Sequence, residues 1–331
     1  MGKKLKATAK SSANIAFIKY WGKTDPVTRV PQNNSISMCL SDLYSICTVE
    51  FRSDLRKDKI DFLGEKEVKQ REIERIVGVL DRVREKSGLS LRAKVVTKNN
   101  FPKATGIASS ASGLSAVTLA AVAALGLRLS KTELSKLARL ASGTASRSIS
   151  DGFVEWKKGT SEGNSYAVQL FPPDYWKIAD VVAIVTHKMK KVPSTEGHKL
   201  ADTSPFQKER IKDMEVKIKV IKKAMKERNF TLFGEILEAD CLNMHAICMT
   251  SVPPILYWEG VTMEIMRKVQ EWREEGFESY FTIDAGPTVH VICQQKDIDL
   301  IKKKLSKIKG ILRISVNYPS IGARVINKHL F

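Results

Sequence analysis

Cysteine is scarce and badly spaced for metal work. Five cysteines lie at 39, 47, 241, 248 and 293 of 331 residues, and no two form a C-x-x-C pair. That spacing excludes the usual zinc-ligand arrangement, and five is not the count of a secreted disulfide scaffold. Free, buried thiols are therefore expected. No apolar run approaches the roughly 20 residues that a bilayer-spanning helix needs. No apolar signal-like segment follows "MGKKLKATAK", and Lys6 stands where a myristoylation signal wants Ser or Thr. A soluble, cytoplasmic protein is the expectation.

Acidic residues are also in deficit, with 36 Asp and Glu against 55 Lys and Arg, for a net charge of +19. Such an excess suits polyanions, but its distribution argues against nucleic acid. In "DIDLIKKKLSKIKG", Ile298, Ile301, Leu305 and Ile308 share one helical face and lysines fill the rest. "SPFQKERIKDMEVKIKVIKKAMKERNF" repeats the design with Ile211, Met214, Ile218, Ile221 and Met225, opened by Ser204-Pro205. No basic strand is interleaved with aromatics, as a single-strand binder would be. Neither a nucleic-acid nor a membrane partner is expected; the competing reading, a basic nucleic-acid-binding protein, rests on net charge alone.

Repeats and low-complexity tracts are absent. "LYSICTVEF" and "LRAKVVTKNN" alternate as strands and bracket a helix in "KEVKQREIERIVGVLDRVREKSG" that Gly88 closes. A nearly all-apolar helix follows "ATGIASSASG", hence a buried one, and Ser130 with Glu133 makes a capping box for the next. Strands are expected at "FVEWKKG", "YAVQL" and "VVAIVTH", after which the pattern turns mainly helical. "SYFTIDAGPTVHVICQQ" reads as strand, Gly-Pro turn, strand, and "GARVINK" as a last strand. Both halves mix strands and helices without regular alternation, which argues for α+β over a doubly wound sheet. The expected division is 1–187 and 188–331.

Four stretches do not look like plain core. "IKYWGK" puts Lys19 and Lys23 around a Trp-Gly pair, as if awaiting an anion. "PKATGIASSASGLS" (102–115) is neither G-x-x-x-x-G-K-[ST] nor G-x-G-x-x-G. A Gly/Ser-rich loop entering a buried helix nevertheless offers backbone N–H groups and a positive helix end to phosphate oxygens; alone, the stretch reads first as a small-residue helix start packed on a sheet. In "ASGTASRSISDG", Arg147 lies among Ser142, Thr144, Ser146 and Ser148 and suits a carboxylate or phosphate, with a local pair to Asp151 as the alternative. In "FTIDAGPTVHV", Asp284 ends a strand before a tight turn, either as a turn-capping acid or as a general base. His245 and His290 read as structural histidines.

Taken together and in order, "NIAFIKYWGK", "PQNNSIS", "NNFPKATGIASSASG", "SGTASRSI" with "GFVEW", "PSTEG", "MHAICMTSVPPILY" and "YFTIDAGPTVHV" resemble the diphosphomevalonate decarboxylases, a branch of the GHMP kinase superfamily. The likeness spans essentially the whole chain. It implies a two-domain GHMP-kinase-like α+β fold, with a ribosomal-protein-S5-domain-2-like N-terminal domain and a ferredoxin-like C-terminal domain. It implies ATP and Mg2+ as cofactors, mevalonate 5-diphosphate as substrate, and a homodimer. The implied catalytic residues are Asp284 as base, Lys19 to neutralise charge, and Arg147 to hold the substrate carboxylate. Tyr20, Lys23, Ser142, Thr144, Ser194 and Thr195 are implied substrate contacts. Pro102, Gly106, Ala108, Ser109, Ser110 and Ser112 are implied ATP contacts, with Ser109 or Ser110 on the metal. The chain departs from the family where Ala141-Ser142-Gly143-Thr144 replaces the commoner Gly-Ser-Gly-Ser. Close relatives act on mevalonate phosphates with other phosphate counts, so phosphomevalonate and bisphosphomevalonate decarboxylation stay open as alternatives.

Overall fold

The computed structural model describes residues 5–25, 27–65, 67–101, 109–186, 188 and 190–331. The first half alternates long strands with three helices: β1 (Lys6–Ile18), β2 (Ser35–Arg52), β3 (Lys59–Phe62), α1 (Gln70–Ser87), β4 (Arg92–Asn99), α2 (Ser109–Ala124), α3 (Lys131–Ala141), β5 (Phe153–Lys157) and β6 (Tyr166–Phe171). The second half runs β7 (Ile178–Ile184), α4 (Ser194–Leu200), α5 (Gln207–Glu227), α6 (Phe230–Met249), α7 (Gly260–Glu274), β8 (Ser279–Thr282), β9 (Val289–Gln294), α8 (Ile298–Leu305), β10 (Arg313–Asn317) and β11 (Arg324–Ile326).

Local chemistry sets most of these boundaries. Gly88 closes α1 at φ +69°, and Ser130 and Glu133 exchange the two capping-box hydrogen bonds at the start of α3. Helix α2 is apolar nearly all round because it is sandwiched between sheet and helices. Its serines spend their hydroxyls on the sheet, Ser112 against Ser45 at 2.7 Å and Ser115 against Ser11 at 2.6 Å. The start of α5 is a correction: the helix opens at Gln207. Ser204 instead sits in the preceding turn, its Oγ accepting from the Phe206 N–H at 3.3 Å.

Two sheets result. One has the order β11-β1-β2-β4-β3, with β5 beside β2 and β6 beside β5; the other is β10-β7-β9-β8, antiparallel throughout. The change from strands to helices near residue 187 therefore does not coincide with a change of sheet. β7, ahead of it, is central in the second sheet, and β11, at the far end, pairs with β1 in the first. Strand pairing is a long-range choice that local pattern does not encode.

Helices α1, α2 and α3 cover one face of the first sheet around Val49, Leu80, Val95 and Val117. A shared core joins Ile15, Phe17, Ile36 and Met38 of the first sheet to Val182 and Ile292 of the second and to Ile221 and Phe233 of α5 and α6. Phe17 meets Phe233 edge-to-face at 4.9 Å. Each such side chain contributes about 1.5–3 kcal/mol by burial, so the two sheets are tied where the cavity opens. The β1–β2 register slips between Ser12 and Asn14 and again between Ala16 and Ile18. Such bulges re-aim side chains, and both flank residues of the site.

Candidate active site

Strand β1 ends at Ile18, and the next five residues leave the sheet. Gly22 makes that exit possible at φ +88°, where an added Cβ would sit 2.3 Å from Gln32 Oε1. The turn sends Lys19 inward and Lys23 toward one end of a cavity of about 320 Å³. Tyr20 packs on Trp156 at 4.7 Å and on His198 at 4.1 Å, and its buried hydroxyl has no hydrogen-bond partner among the described residues. Gly143 is the complement of that ring, since a Cβ there would lie 2.8 Å from Tyr20 Cε1 and 2.9 Å from Trp156 Cη2.

At the cavity floor, Lys19 Nζ donates to Asp284 Oδ1 at 2.6 Å and to the Ala16 carbonyl at 2.8 Å. Lys19 is buried, while the Asp284 side chain keeps 17 % exposure. Burial alone would raise the Asp284 pKa; the Lys19 ammonium, with help from His290 and Arg147, holds it below the ordinary value. Asp284 is thus an anion facing the cavity, as a general base must be.

Arg147 lies beside this pair on the short 3-10 turn Gly143–Ser148 and is 1 % exposed. Its Nε and one terminal nitrogen donate to Asn14 Oδ1 at 3.2 and 3.1 Å, and the other donates to Ser35 Oγ at 2.7 Å. No carboxylate pairs with it among the described residues, so the Asp151 alternative does not hold: Asp151 pairs with Lys131 at 2.6 Å. Burial drags the Arg147 pKa down to about 10, with Asp284 pulling the other way. A desolvated guanidinium with only neutral partners is built to meet an anion.

Cations dominate the opposite end. Burial and the nearby Arg29, Arg75 and Arg71 lower the Lys23 pKa to about 8. Arg29 and Arg75 are each anchored by Nε, on the Leu140 carbonyl at 3.0 Å and the Ala141 carbonyl at 2.8 Å, and both line the cavity. Lys190 belongs to the Asp284 side instead, donating to the Ala285 carbonyl; burial lowers its pKa to about 8, opposed by Asp284. His198 accepts the Gly22 N–H on Nδ1 at 3.1 Å; burial, then Lys23 and Lys190, push its pKa well down, so it is neutral.

The structure brings Lys19, Tyr20, Lys23, Ser142, Thr144, Arg147, Ser194, Thr195 and Asp284 to this one cavity, with Ser110 at its rim, 3.4 Å from Ser142 Oγ. Ser112 faces the sheet and does not line it. Pro102, Gly106 and Ala108 lie outside the described residues, and of Ser109 only its place at the start of α2 is described. Arg29, Arg75 and His198 escaped sequence reasoning because a lone arginine in a loop, one basic residue among several on a charged helix, and a histidine four residues beyond Ser194 carry no local signal. Asn14 and Ser35 were visible in "NIAFIKYWGK" and "PQNNSIS", but their service to Arg147 was not. No cluster of three His, Cys, Asp or Glu is poised for a metal among the described residues. Serine hydroxyls beside nucleotide phosphates are nevertheless a donor set that magnesium accepts, since it keeps its waters and binds through phosphate.

Two family profiles match. One, the diphosphomevalonate decarboxylase-like N-terminal domain, covers residues 11–167; the other, the mevalonate 5-diphosphate decarboxylase C-terminal domain, covers 180–318. The diphosphomevalonate decarboxylase of Candida albicans is 32 % identical over 320 residues, 92 % of this chain and 88 % of that one. The chain belongs to the diphosphomevalonate decarboxylase family. The phosphomevalonate decarboxylase of Haloferax volcanii is 30 % identical, over 91 % of this chain and 92 % of its own. The mevalonate diphosphate decarboxylase of Staphylococcus aureus superposes with a TM-score of 0.92 at 37 % identity, covering 97 % of this chain and 98 % of that one. A further family structure, solved with MVAPP, AMPPCP and magnesium, gives 0.90 at 34 % identity over 98 % and 99 %. The five cysteines are all free and buried, as expected, and no helix among the described residues is long and apolar enough to cross a membrane.

Proposed function

We propose that this protein converts mevalonate 5-diphosphate and ATP, with magnesium, into isopentenyl diphosphate, ADP, phosphate and carbon dioxide. The observation that carries the reading is the Lys19–Asp284 contact of 2.6 Å at the cavity floor, beside an Arg147 whose partners, Asn14 and Ser35, are neutral. A 3-hydroxy acid has no carbonyl placed to accept the electrons released when CO2 leaves. The tertiary hydroxyl must become a leaving group, and phosphorylation makes it one. Asp284 takes the hydroxyl proton while Lys19 keeps that carboxylate ionised and balances the charge gathering on the transferred phosphoryl group. Departure of phosphate then leaves positive charge at C3, and the carboxylate held by Arg147 fragments into it.

Placement and charge stabilisation dominate such a step. Tyr20, Lys23, Ser194 and Thr195 take the diphosphate end under this reading, Ser142 and Thr144 the carboxylate end, and Ser110 the nucleotide side. Magnesium, when bound, screens the nucleotide phosphates. We divide the molecule between β6 and β7, so that each half is built on one sheet and β11 alone returns from the second half to the first sheet, and we assign a cytoplasmic homodimer as the working state. The test is to incubate the protein with ATP, magnesium and each of mevalonate, its 5-phosphate, 5-diphosphate and 3,5-bisphosphate, measuring ADP and CO2 separately. ADP and CO2 in equal amounts from the 5-diphosphate are expected. ADP without CO2 would make the protein a kinase. The similarity to the Haloferax volcanii enzyme favours one second reading, in which the 5-phosphate is the better substrate.

A further inference from the structure

Lys19 and Asp284 stand just past the ends of strands in different sheets, yet one helix touches the backbone of Lys19 and of Ile283, the residue before Asp284. Asp240 of α6 accepts the Lys19 N–H on Oδ2 at 2.7 Å. Arg210 of α5 completes the grip: it pairs with Asp240 at 2.8 Å and donates to the Lys19 carbonyl at 3.2 Å. This ion pair has no exposed surface at all. The next residue along α6, Cys241, accepts the Ile283 N–H on Sγ at 3.1 Å and returns its thiol to the Ile283 carbonyl at 3.6 Å. One turn further, His245 Nε2 lies 3.2 Å from that same carbonyl. A carbonyl only accepts, so Nε2 carries the proton; burial lowers the His245 pKa to about 3 and keeps the ring neutral.

We propose that α6 is a positioning element for the reaction: Asp240, Cys241 and His245 hold the peptides bearing Lys19 and adjoining Asp284, and so fix the two reacting side chains in contact. The helix geometry allows it. Consecutive residues point about 100° apart, so Asp240 reaches β1 while Cys241 reaches the end of β8, and residue 245 falls on the face of 241. β8 ends at Thr282, so the Ile283 N–H and C=O lie beyond the named strand, and the α6 side chains supply partners for both. The Ala16 carbonyl adds a second tie, accepting both Lys19 Nζ and the Thr282 hydroxyl at 3.2 Å. Asp240, Cys241 and His245 are absent from the cavity wall, so they act through Lys19 and Asp284 and touch no substrate.

The inference rests on Asp284 being the base, and the experiment separates the two claims. Asp240→Asn is the obvious variant, but it leaves Arg210 buried without its carboxylate, so the decisive changes are Cys241→Ala and His245→Leu, with Cys241→Ser and His245→Gln as the conservative pair. Thermal melts select variants that remain folded. A misplacement of about 1 Å can cost on the order of 100-fold in rate. We expect each apolar variant to lose about 10-fold in kcat with both KM values within about twofold, and the conservative pair to recover most of it. The acid limb of kcat/KM should also move up by about one pH unit, because Lys19 then stands further from Asp284 while Arg147, Lys190 and His290 keep their places. Unchanged kcat and acid limb in the apolar variants, with Asp284→Asn inactive, would overturn the positioning role alone. A rise in KM at constant kcat would overturn it too, by placing α6 in binding. If Asp284→Asn turned over normally, the base assignment would fall and this inference with it.

Discussion

Arg147→Gln should make the ligand-free protein more stable while nearly abolishing turnover. Arg147 is 1 % exposed and its hydrogen-bond partners are an amide oxygen and a hydroxyl, so they do not offset its charge, and Asp284 compensates only in part. A guanidinium whose pKa falls from 12.5 to about 10 has lost roughly 3 kcal/mol of preference for its charged form. The folded value is the depressed one. The penalty is therefore complete at any pH below about 10 and fades only as pH climbs toward 12.5. Glutamine removes the charge and keeps one donor for Asn14 Oδ1; losing the bond to Ser35 costs about 1 kcal/mol. The net is a gain of about 1–2 kcal/mol, which a chain of this size reads as a melting temperature a few degrees higher. Catalysis pays instead, with kcat down by about 10³-fold or more because the substrate carboxylate has lost its bidentate partner. The assay pairs thermal unfolding, with and without substrate, with ADP release. Wild type should be stabilised by substrate far more than the variant. A variant that melts several degrees lower would refute the reasoning, because it would mean that Arg147 supports the fold.

Three further outcomes are expected. Asp284→Asn should lower kcat by about 10²–10⁴-fold with ATP affinity nearly unchanged, measured by coupled ADP release and nucleotide titration. Lys23 loses its charge above about pH 8, so KM for the phosphorylated substrate should rise through that pH; Lys23→Met should have a high KM without that inflection. Ser110→Ala should raise KM for ATP, whereas Ser112→Ala should leave it alone and cost about 1 kcal/mol of stability through the lost Ser112–Ser45 hydrogen bond, Ser45 keeping its bond to Asn99 Oδ1, read by denaturant unfolding.

Much of the fold is legible because its signals are local. The Ser130 capping box, the Gly88 closure, the small-residue entry to α2 and the strand–turn–strand around Asp284 each depend on residues a few positions apart. Helix α5 is legible for the same reason: Met214, Ile218, Ile221 and Met225 are buried as its stripe demands. Its first turn was less so, because Ser204 chose a tight turn over the cap.

The chemistry on offer is already present in the sequence alone: two lysines around a Trp-Gly pair, an arginine among hydroxyls, and a carboxylate ending an apolar strand. Those are properties of residue type and short spacing, and they survive any arrangement of the chain. Only the tertiary structure decided which of them meet. Lys19 and Asp284 are separated by 265 positions and touch because two sheets share a core and one helix grips both strand ends. The same packing turned Asp151 away from Arg147, sent Ser112 to the sheet, and gathered Arg29, Arg75 and His198 around Lys23. Each of these is a long-range contact, chosen by burial and pairing across the whole molecule, and no stretch of a dozen residues contains the information.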